Sequence, residues 1–323
     1  MCGFSCVFLL VHLLCQKDCD ILYIVILCEY FITEVFLLVE YIKAIILAAV
    51  TGLTAALPTS SSGHFFGANA FLTFSEDTDV LSLYYSAFMI AFSAVIFISL
   101  KDVYVKTFSV ASSGRKNYRL RLRNTLFSIL ISCVIFIPIP GTGKLISDFF
   151  GSFLSLDNFL NPILTGCAFI SGGLLTLLSL WYIKKGGKRK RKNVPFRSSV
   201  RMYIYSLPAY LIPGSSKMSL ASVNLLLCDV SPSVIIREVY FYSAPPVLAV
   251  NLIRFILGVV RGTQFNPAVL AIGVVVSALC AYLSVSIIRK IKAEHLFIFF
   301  SVYSLLMGIA VMSDTFIRLV SGN

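Results

Sequence analysis

The sequence predicts an all-α integral membrane protein with six transmembrane helices plus two re-entrant broken helices in an inverted-topology repeat. Three observations lead to this fold class. The 323 residues are 58% apolar and 13% charged, with a mean hydropathy of +0.90, which excludes a water-soluble fold. Charge-free runs of about bilayer length recur along the chain. The positive charges behind the net charge of +12 lie mostly between those runs.

Six runs approach the length of about 20 residues that a helix needs to cross a bilayer. They lie at 81–100, 125–143, 160–183, 239–260, 266–288 and 295–313. We assign them to a single membrane domain at 37–323. Residues 1–36 form an N-terminal extension, which is either an extra helix or the result of a start codon chosen too far upstream.

The basic residues indicate which side of the membrane each connection faces. Nineteen of the 27 Lys and Arg residues fall in three segments, at 101–123, 184–201 and 289–292. Positive charge concentrates on the cytoplasmic side of membrane proteins, so we expect these segments to be cytoplasmic loops of a multi-pass membrane protein. The run of Lys and Arg at 184–192 is interpreted as a topology signal with an anionic-lipid contact, and not as a nucleic-acid site.

Two further apolar regions do not behave as single spans. Residues 44–75 lack Asp, Glu, Lys and Arg but are broken by Pro58, a serine cluster and a glycine. Residues 202–228 carry only Lys217 and are broken by prolines and Gly214. Irregular backbone at membrane depth is tolerated where protein or a water-filled cavity satisfies it, so both breaks are candidate binding sites.

The two breaks resemble each other. The sequence LPTSSS at 57–62 recurs as IPGSSK at 212–217, 155 residues later, and three apolar runs follow each copy. An odd number of spans between them gives the two halves opposite orientations. We therefore predict an inverted repeat, with a first unit at about 37–143 and a second at about 200–313, and a site near the midplane between them.

The chemistry of both breaks suits an anion. Helix N-termini inside a membrane present unpaired N–H groups and a positive dipole end. The serines add hydroxyl donors, His64 adds an imidazole, and Lys217 adds a positive charge that needs a ligand, a carboxylate or water at this depth. With three histidines and no CxxC pair in the chain, a zinc cluster is not expected.

These residues also carry a family resemblance. The sequence VTGLTAALPTSSSGH at 50–64 resembles the first signature of the undecaprenyl-diphosphatase family of bacitracin-resistance membrane phosphatases, EGLTEFLPxSSSGH. The sequence PGSSKMS at 213–219 resembles the second, PGxSRSG, and the similarity extends over about 38–313. The chain departs from the family at four positions. Thr51 and Ala55 stand at the two glutamates, Lys217 stands at the arginine, and Met218 stands at a small residue.

The resemblance implies hydrolysis of a polyprenyl diphosphate to the monophosphate, in recycling of the lipid carrier for cell-wall synthesis. It implies catalytic roles for Ser60, Ser62 and His64. The phosphate-binding set comprises Ser61, Gly63, Gly214, Ser215, Ser216 and Lys217. The family also implies Mg²⁺ or Ca²⁺, but its usual carboxylates are missing and Thr and Ala do not replace them. The alternative is therefore a catalytically lapsed binder, carrier or flippase for polyprenyl phosphate.

Overall fold

A computed structural model describes residues 34, 35, 37–112, 116–134, 160–186, 194, 196–206, 209, 212 and 214–321. These residues form α-helices joined by short connections. The helices are α1 (Leu37–Ala55), α2 (Ser61–Leu72), α3 (Thr78–Ser99), α4 (Lys101–Ser112), α5 (Lys116–Val134), α6 (Leu160–Gly186), α7 (Phe196–Ser206), α8 (Lys217–Leu227), α9 (Pro232–Val260), α10 (Pro267–Ile288) and α11 (Ala293–Ser321).

Six of the described helices are long and apolar enough to cross a membrane, namely α1, α3, α6, α9, α10 and α11. The all-α membrane class and the number of spans are thus confirmed, and five of the six coincide with predicted runs. The sixth is α1, which runs from Leu37 into the predicted broken region at 44–75 and ends at Ala55. The run predicted at 125–143 is not among the six. Its first part lies in α5, which begins among basic residues, and residues 135–143 lie outside the described part.

The segment at 101–123 was predicted to be a loop, and that prediction is wrong. Most of it is helical, in α4 and in the first turns of α5. The prediction rested on the density of positive charge, which sets the side of the membrane that a segment faces but does not prevent helix formation. Helix α9 likewise begins earlier than predicted, because the charged side chain of Glu238 is paired inside the protein.

Both predicted interruptions are present. Helix α1 ends at Ala55 and α2 begins at Ser61, while α7 ends at Ser206 and α8 begins at Lys217. The short helices α2 and α8 each begin after a serine and are followed by a long span, α3 or α9. The two halves thus start with matching elements, and their opposite orientation stays a prediction. The N-terminal extension lies outside the described residues, apart from its last few positions.

Helix α9 contains two adjacent prolines, Pro245 and Pro246, without ending there. Proline lacks the N–H that would bond the carbonyl four residues earlier, so two carbonyls are freed inside the helix. Tyrosine hydroxyls from other helices fill both positions. Tyr104 donates to the carbonyl of Phe241 at 2.8 Å, and Tyr203 donates to the carbonyl of Tyr242 at 3.1 Å. The core therefore satisfies the backbone that the prolines leave open.

Around the two breaks, helices from the first half of the chain pack mainly against helices from the second half. Helix α3 packs against α9 and α10, while α6 packs against α11 and α8. The centre of the core is aromatic, with Phe65, Phe88 and Phe241 almost fully buried. This arrangement holds the starts of α2 and α8 inside the protein.

Candidate functional site

The starts of α2 and α8 are capped in the same way. Ser60 precedes α2 in extended backbone conformation, and its Oγ accepts the N–H of Gly63 at 3.1 Å. Ser216 precedes α8 in the same conformation, and its Oγ accepts the N–H of Ser219 at 3.1 Å. Serine is a favoured N-cap because its hydroxyl satisfies one of the unpaired N–H groups of the first turn. Both serines are buried, so the two helix N-termini lie inside the protein.

The two breaks touch each other through their glycines. A β-carbon added at Gly63 would lie 2.9 Å from the α-carbon of Gly214, closer than carbon atoms normally approach. Gly214 has a φ of +87°, and a β-carbon there would lie 2.3 Å from the carbonyl oxygen of Thr165. Glycine is required at both positions, at 214 also because other residues rarely adopt that backbone conformation.

Hydroxyl groups from the second half satisfy the irregular backbone of the first. Ser219 donates to the carbonyl of Pro58 at 2.5 Å, and Tyr240 donates to the carbonyl of Ala56 at 2.6 Å. Ser284 donates to the carbonyl of Leu53, in the last turn of α1, at 2.9 Å. Backbone carbonyls at membrane depth need such partners because the bilayer core offers no water. These bonds fix the first break against the second half.

A small cavity lined by both polar and apolar side chains lies where the breaks meet. Its volume is about 20 Å³, which is room for about one water molecule. The polar or charged side chains around it come from both halves of the chain: Thr59, Ser61, Ser62, Tyr85, Ser215, Lys217 and Ser243. A phosphate group does not fit this space, so its entry requires movement of flexible lining side chains such as Lys217 and Met218.

The serines of the first break divide between the cavity and the backbone. Ser61 and Ser62 line the cavity, whereas Ser60 is buried as the N-cap. Ser61 Oγ lies 2.9 Å from the hydroxyl of Tyr85. Ser62 Oγ lies 3.2 Å from Ser60 Oγ. Of the two serines predicted to be catalytic, Ser62 is therefore the one that faces the cavity.

His64 lies on α2 but is not among the residues that line the cavity. Its Nδ1 lies 2.6 Å from the carbonyl oxygen of Ser60, and its Nε2 lies 2.7 Å from the hydroxyl of Tyr303 in α11. In the neutral imidazole, Nδ1–H donates to the carbonyl and Nε2 accepts from the tyrosine. The ring also stacks on Tyr303 and meets Phe169 edge-on. A catalytic role for His64 stays a prediction.

The second break contributes Ser215 and Lys217 to the cavity, with Gly214 against the first break and Ser216 as the cap. Of the predicted phosphate-binding residues, the structure thus brings Ser61, Ser215 and Lys217 to one cavity. Among the described residues, the cavity lining contains no carboxylate, and its basic side chain is Lys217.

The residues at the family's two glutamate positions do not fit a divalent cation. Ala55 lines the cavity but offers no ligand atom. Thr51 is fully buried, and its hydroxyl donates to the carbonyl of Leu47 at 2.7 Å. Mg²⁺ and Ca²⁺ are held by carboxylate and carbonyl oxygens. The described residues also contain no cluster of three or more His, Cys, Asp and Glu side chains that could hold a metal ion.

Acidic residues near the breaks in sequence have other roles in the structure. Asp77 caps α3 through a 2.8 Å bond from the N–H of Asp79, and both are exposed with Glu76 on a surface turn. Glu238 is buried and forms ion pairs with Arg121 and Arg237. These four acidic side chains therefore do not line the cavity.

Sequence analysis missed Thr59, Tyr85 and Ser243, which line the cavity, and Arg254, which lies further along α9. Arg254 lies in the apolar span formed by α9, and its positive charge acts on Lys217 and Tyr85. A charged residue inside a span is a functional-site signal by itself, and that signal was readable in the sequence. The other three are hydroxyl residues in apolar segments, and their pattern alone does not distinguish them from packing residues.

The fold and the site together define an all-α, multi-pass membrane protein with a buried, lysine-lined cavity where two interrupted helices meet. Residues 44–310 match the family model described as Bacitracin resistance protein BacA. The chain belongs to this family.

Curated relatives align over nearly their whole lengths. A protein of Leptospira borgpetersenii serovar Hardjo-bovis named undecaprenyl-diphosphatase is 27% identical over 285 residues, which is 86% of this chain and 99% of the relative. A protein of the same name from Desulfitobacterium hafniense is 26% identical over 85% of this chain and 96% of the relative. Another, from Lacticaseibacillus casei, is 24% identical over 86% and 99%.

Proposed function

We propose that this protein is an undecaprenyl-diphosphatase-like hydrolase, which converts a polyprenyl diphosphate to the monophosphate for recycling of the lipid carrier of cell-wall synthesis. The observation that carries the proposal is the meeting of two serine-capped helix N-termini and Lys217 at one cavity. Helix N-termini and a lysine ammonium both stabilise phosphate oxygens. The names of the relatives support the same reaction class.

In the proposed reaction, Ser62 faces the terminal phosphorus of the diphosphate. Its oxygen attacks that phosphorus, the bond to the bridging oxygen breaks, and the prenyl monophosphate leaves. The hydroxyl proton passes to a phosphate oxygen of the substrate, and water then releases the phosphoryl group from Ser62 as inorganic phosphate. Lys217 and the N–H groups at the start of α8 stabilise the charge on the phosphate oxygens. Ser60 holds Ser62 and caps the helix.

The test is release of inorganic phosphate from a long-chain prenyl diphosphate by the purified protein in detergent. We expect release by the wild type, and loss of at least about 100-fold in S62A and K217Q, on the scale of one transition-state contact. H64A tests the predicted role of the imidazole in the same assay. S233A is the matched control, because Ser233 is exposed at the start of α9 and does not line the cavity.

The replacement of a motif glutamate by Ala55 in the cavity lining favours a second candidate function. In this reading, the scaffold binds or moves a polyprenyl phosphate without cutting it. Absence of phosphate release from the wild type, together with saturable binding of polyprenyl phosphate that K217Q weakens, would replace the hydrolase proposal by this one.

We further propose a bacterial inner-membrane location with the three basic segments in the cytoplasm. Glu76 and Lys290 are both exposed, and the proposed inverted topology places them on opposite sides. Single cysteines at these positions, in a chain whose nine native cysteines are replaced, should differ in labelling by a membrane-impermeant thiol reagent in intact cells. Equal labelling of both would contradict the topology.

A further inference from the structure

The cavity holds a hydroxyl that the protein leaves without a partner. Thr59 is 3% exposed and lines the cavity, and its Oγ1 makes no hydrogen bond within the described structure. A buried polar atom normally has a partner, because burial without one is unfavourable. We therefore expect a ligand or a water molecule in the cavity to be the hydrogen-bond partner of the Thr59 hydroxyl.

Arg254 brings a second positive charge to the same place. Ser243 and Val247 line the cavity from α9, and Arg254 follows Val247 by two turns, so it lies on the same face of the helix. It lies within electrostatic reach of Lys217 and Tyr85, which both line the cavity. A positive charge on this face of the helix attracts an anion held at the cavity.

These features replace what the metal ligands of the family would supply. Ala55 offers no ligand atom, and the hydroxyl of Thr51 is bonded to backbone, so the cavity does not hold a divalent cation through them. A cavity lined by Lys217, with Arg254 on the same face of α9 as two lining residues and no lining carboxylate among the described residues, can neutralise a phosphorylated headgroup without a divalent cation.

We infer that Arg254 and Thr59 are further phosphate-binding residues, and that the cavity binds a phosphorylated headgroup in the absence of a divalent cation. The inference rests on the proposed function for the class of ligand. Arg254 neutralises phosphate charge beside Lys217, and Thr59 donates its hydroxyl to a phosphate oxygen. Neither residue takes part in bond breaking.

The test measures binding of a long-chain polyprenyl monophosphate to the purified chain in detergent micelles, in EDTA and in Mg²⁺. Inorganic pyrophosphate is titrated in parallel, because it distinguishes a free phosphate from a lipid headgroup as the ligand. We expect the affinity of the wild type in EDTA and in Mg²⁺ to agree within about twofold. We expect R254Q to bind about 10-fold to 100-fold more weakly, the range for loss of a charged hydrogen bond.

R261Q is the matched control, because Arg261 is exposed at the end of the same helix and does not line the cavity. R254K should keep most of the affinity, since it keeps the charge. T59V has nearly the same shape without the hydroxyl, so it should weaken binding about 2-fold to 10-fold. It should leave the midpoint of thermal unfolding of the unliganded protein unchanged or higher, because the hydroxyl has no protein partner to lose.

Binding that is lost in EDTA would overturn the inference, as would equal affinities of R254Q and R261Q. If R254Q does not fold, the inference is tested with T59V and R254K instead. It is overturned if T59V binds with wild-type affinity and R254K loses binding. The failure of the proposed function is distinct. Metal-independent binding with no phosphate release refutes the hydrolase alone, whereas release and binding that both require Mg²⁺ refute this inference alone.

Discussion

A single methyl group at Gly63 is expected to push the two breaks apart. In G63A the new β-carbon would lie 2.9 Å from the α-carbon of Gly214 and 2.7 Å from the ring of Phe169. These distances are roughly 0.6–1.3 Å shorter than ordinary carbon contacts. Gly214 presents backbone, and Phe169 is 2% exposed, so neither neighbour has free space to move into. Overpacking of this kind destabilises a core by about 1–3 kcal/mol.

Gly67 provides a matched control on the same helix. It is exposed, and a β-carbon there meets nothing within 4 Å. Both substitutions gain helix propensity, worth about 0.8–1 kcal/mol for glycine to alanine. The difference between G63A and G67A therefore isolates the clash, and we expect G63A to be less stable than G67A by about 1–3 kcal/mol.

The free energy of unfolding is measured by titration with dodecyl sulfate in mixed micelles, with helicity followed by circular dichroism. Binding of polyprenyl monophosphate is measured on the same samples. Because the clash moves Ser62 away from Lys217, G63A should also bind more weakly than G67A. Equal stability and equal affinity of the two variants would refute the contact between the breaks, and with it the shared cavity.

Three further predictions follow from single contacts. S219A removes the donor to the carbonyl of Pro58 and should destabilise the protein by about 0.6–2 kcal/mol in the same titration; an unchanged midpoint would mean that the bond contributes nothing. E238Q leaves Arg121 without its buried carboxylate and should lower the free energy of unfolding by about 2–3 kcal/mol. This loss is smaller than that for a fully buried ion pair, because the Arg121 side chain is 22% exposed. Wild-type stability of E238Q would contradict the prediction. A55E places a carboxylate in the cavity, and its negative charge should weaken the binding of polyprenyl monophosphate in EDTA about tenfold. Addition of Mg²⁺ should restore the affinity. Tighter binding in EDTA would refute the interpretation of the cavity as a site for an anion.

The sequence by itself determined the class of fold and the two interruptions, and it predicted an anionic ligand. Hydropathy and the positions of helix-breaking and helix-capping residues can be read from short stretches of sequence. The length of an apolar run therefore predicts a span, and proline, glycine and serine predict where one helix ends and the next begins. The serine caps of α2 and α8 follow from this local pattern. Charge density was a poorer guide, since it led to a loop where α4 and α5 are helical.

Only the tertiary structure decided which side chains share the cavity. The bond from Ser219 to Pro58 joins residues 161 apart in sequence, and the contact of His64 with Tyr303 joins residues 239 apart. Such partners depend on how whole helices pack, which no local pattern encodes. Packing likewise left the Thr59 hydroxyl without a hydrogen-bond partner in the described structure and placed Arg254 within electrostatic reach of Lys217. The sequence could thus predict a phosphate site between two breaks, but the packing of the two halves decided which side chains line the cavity between them.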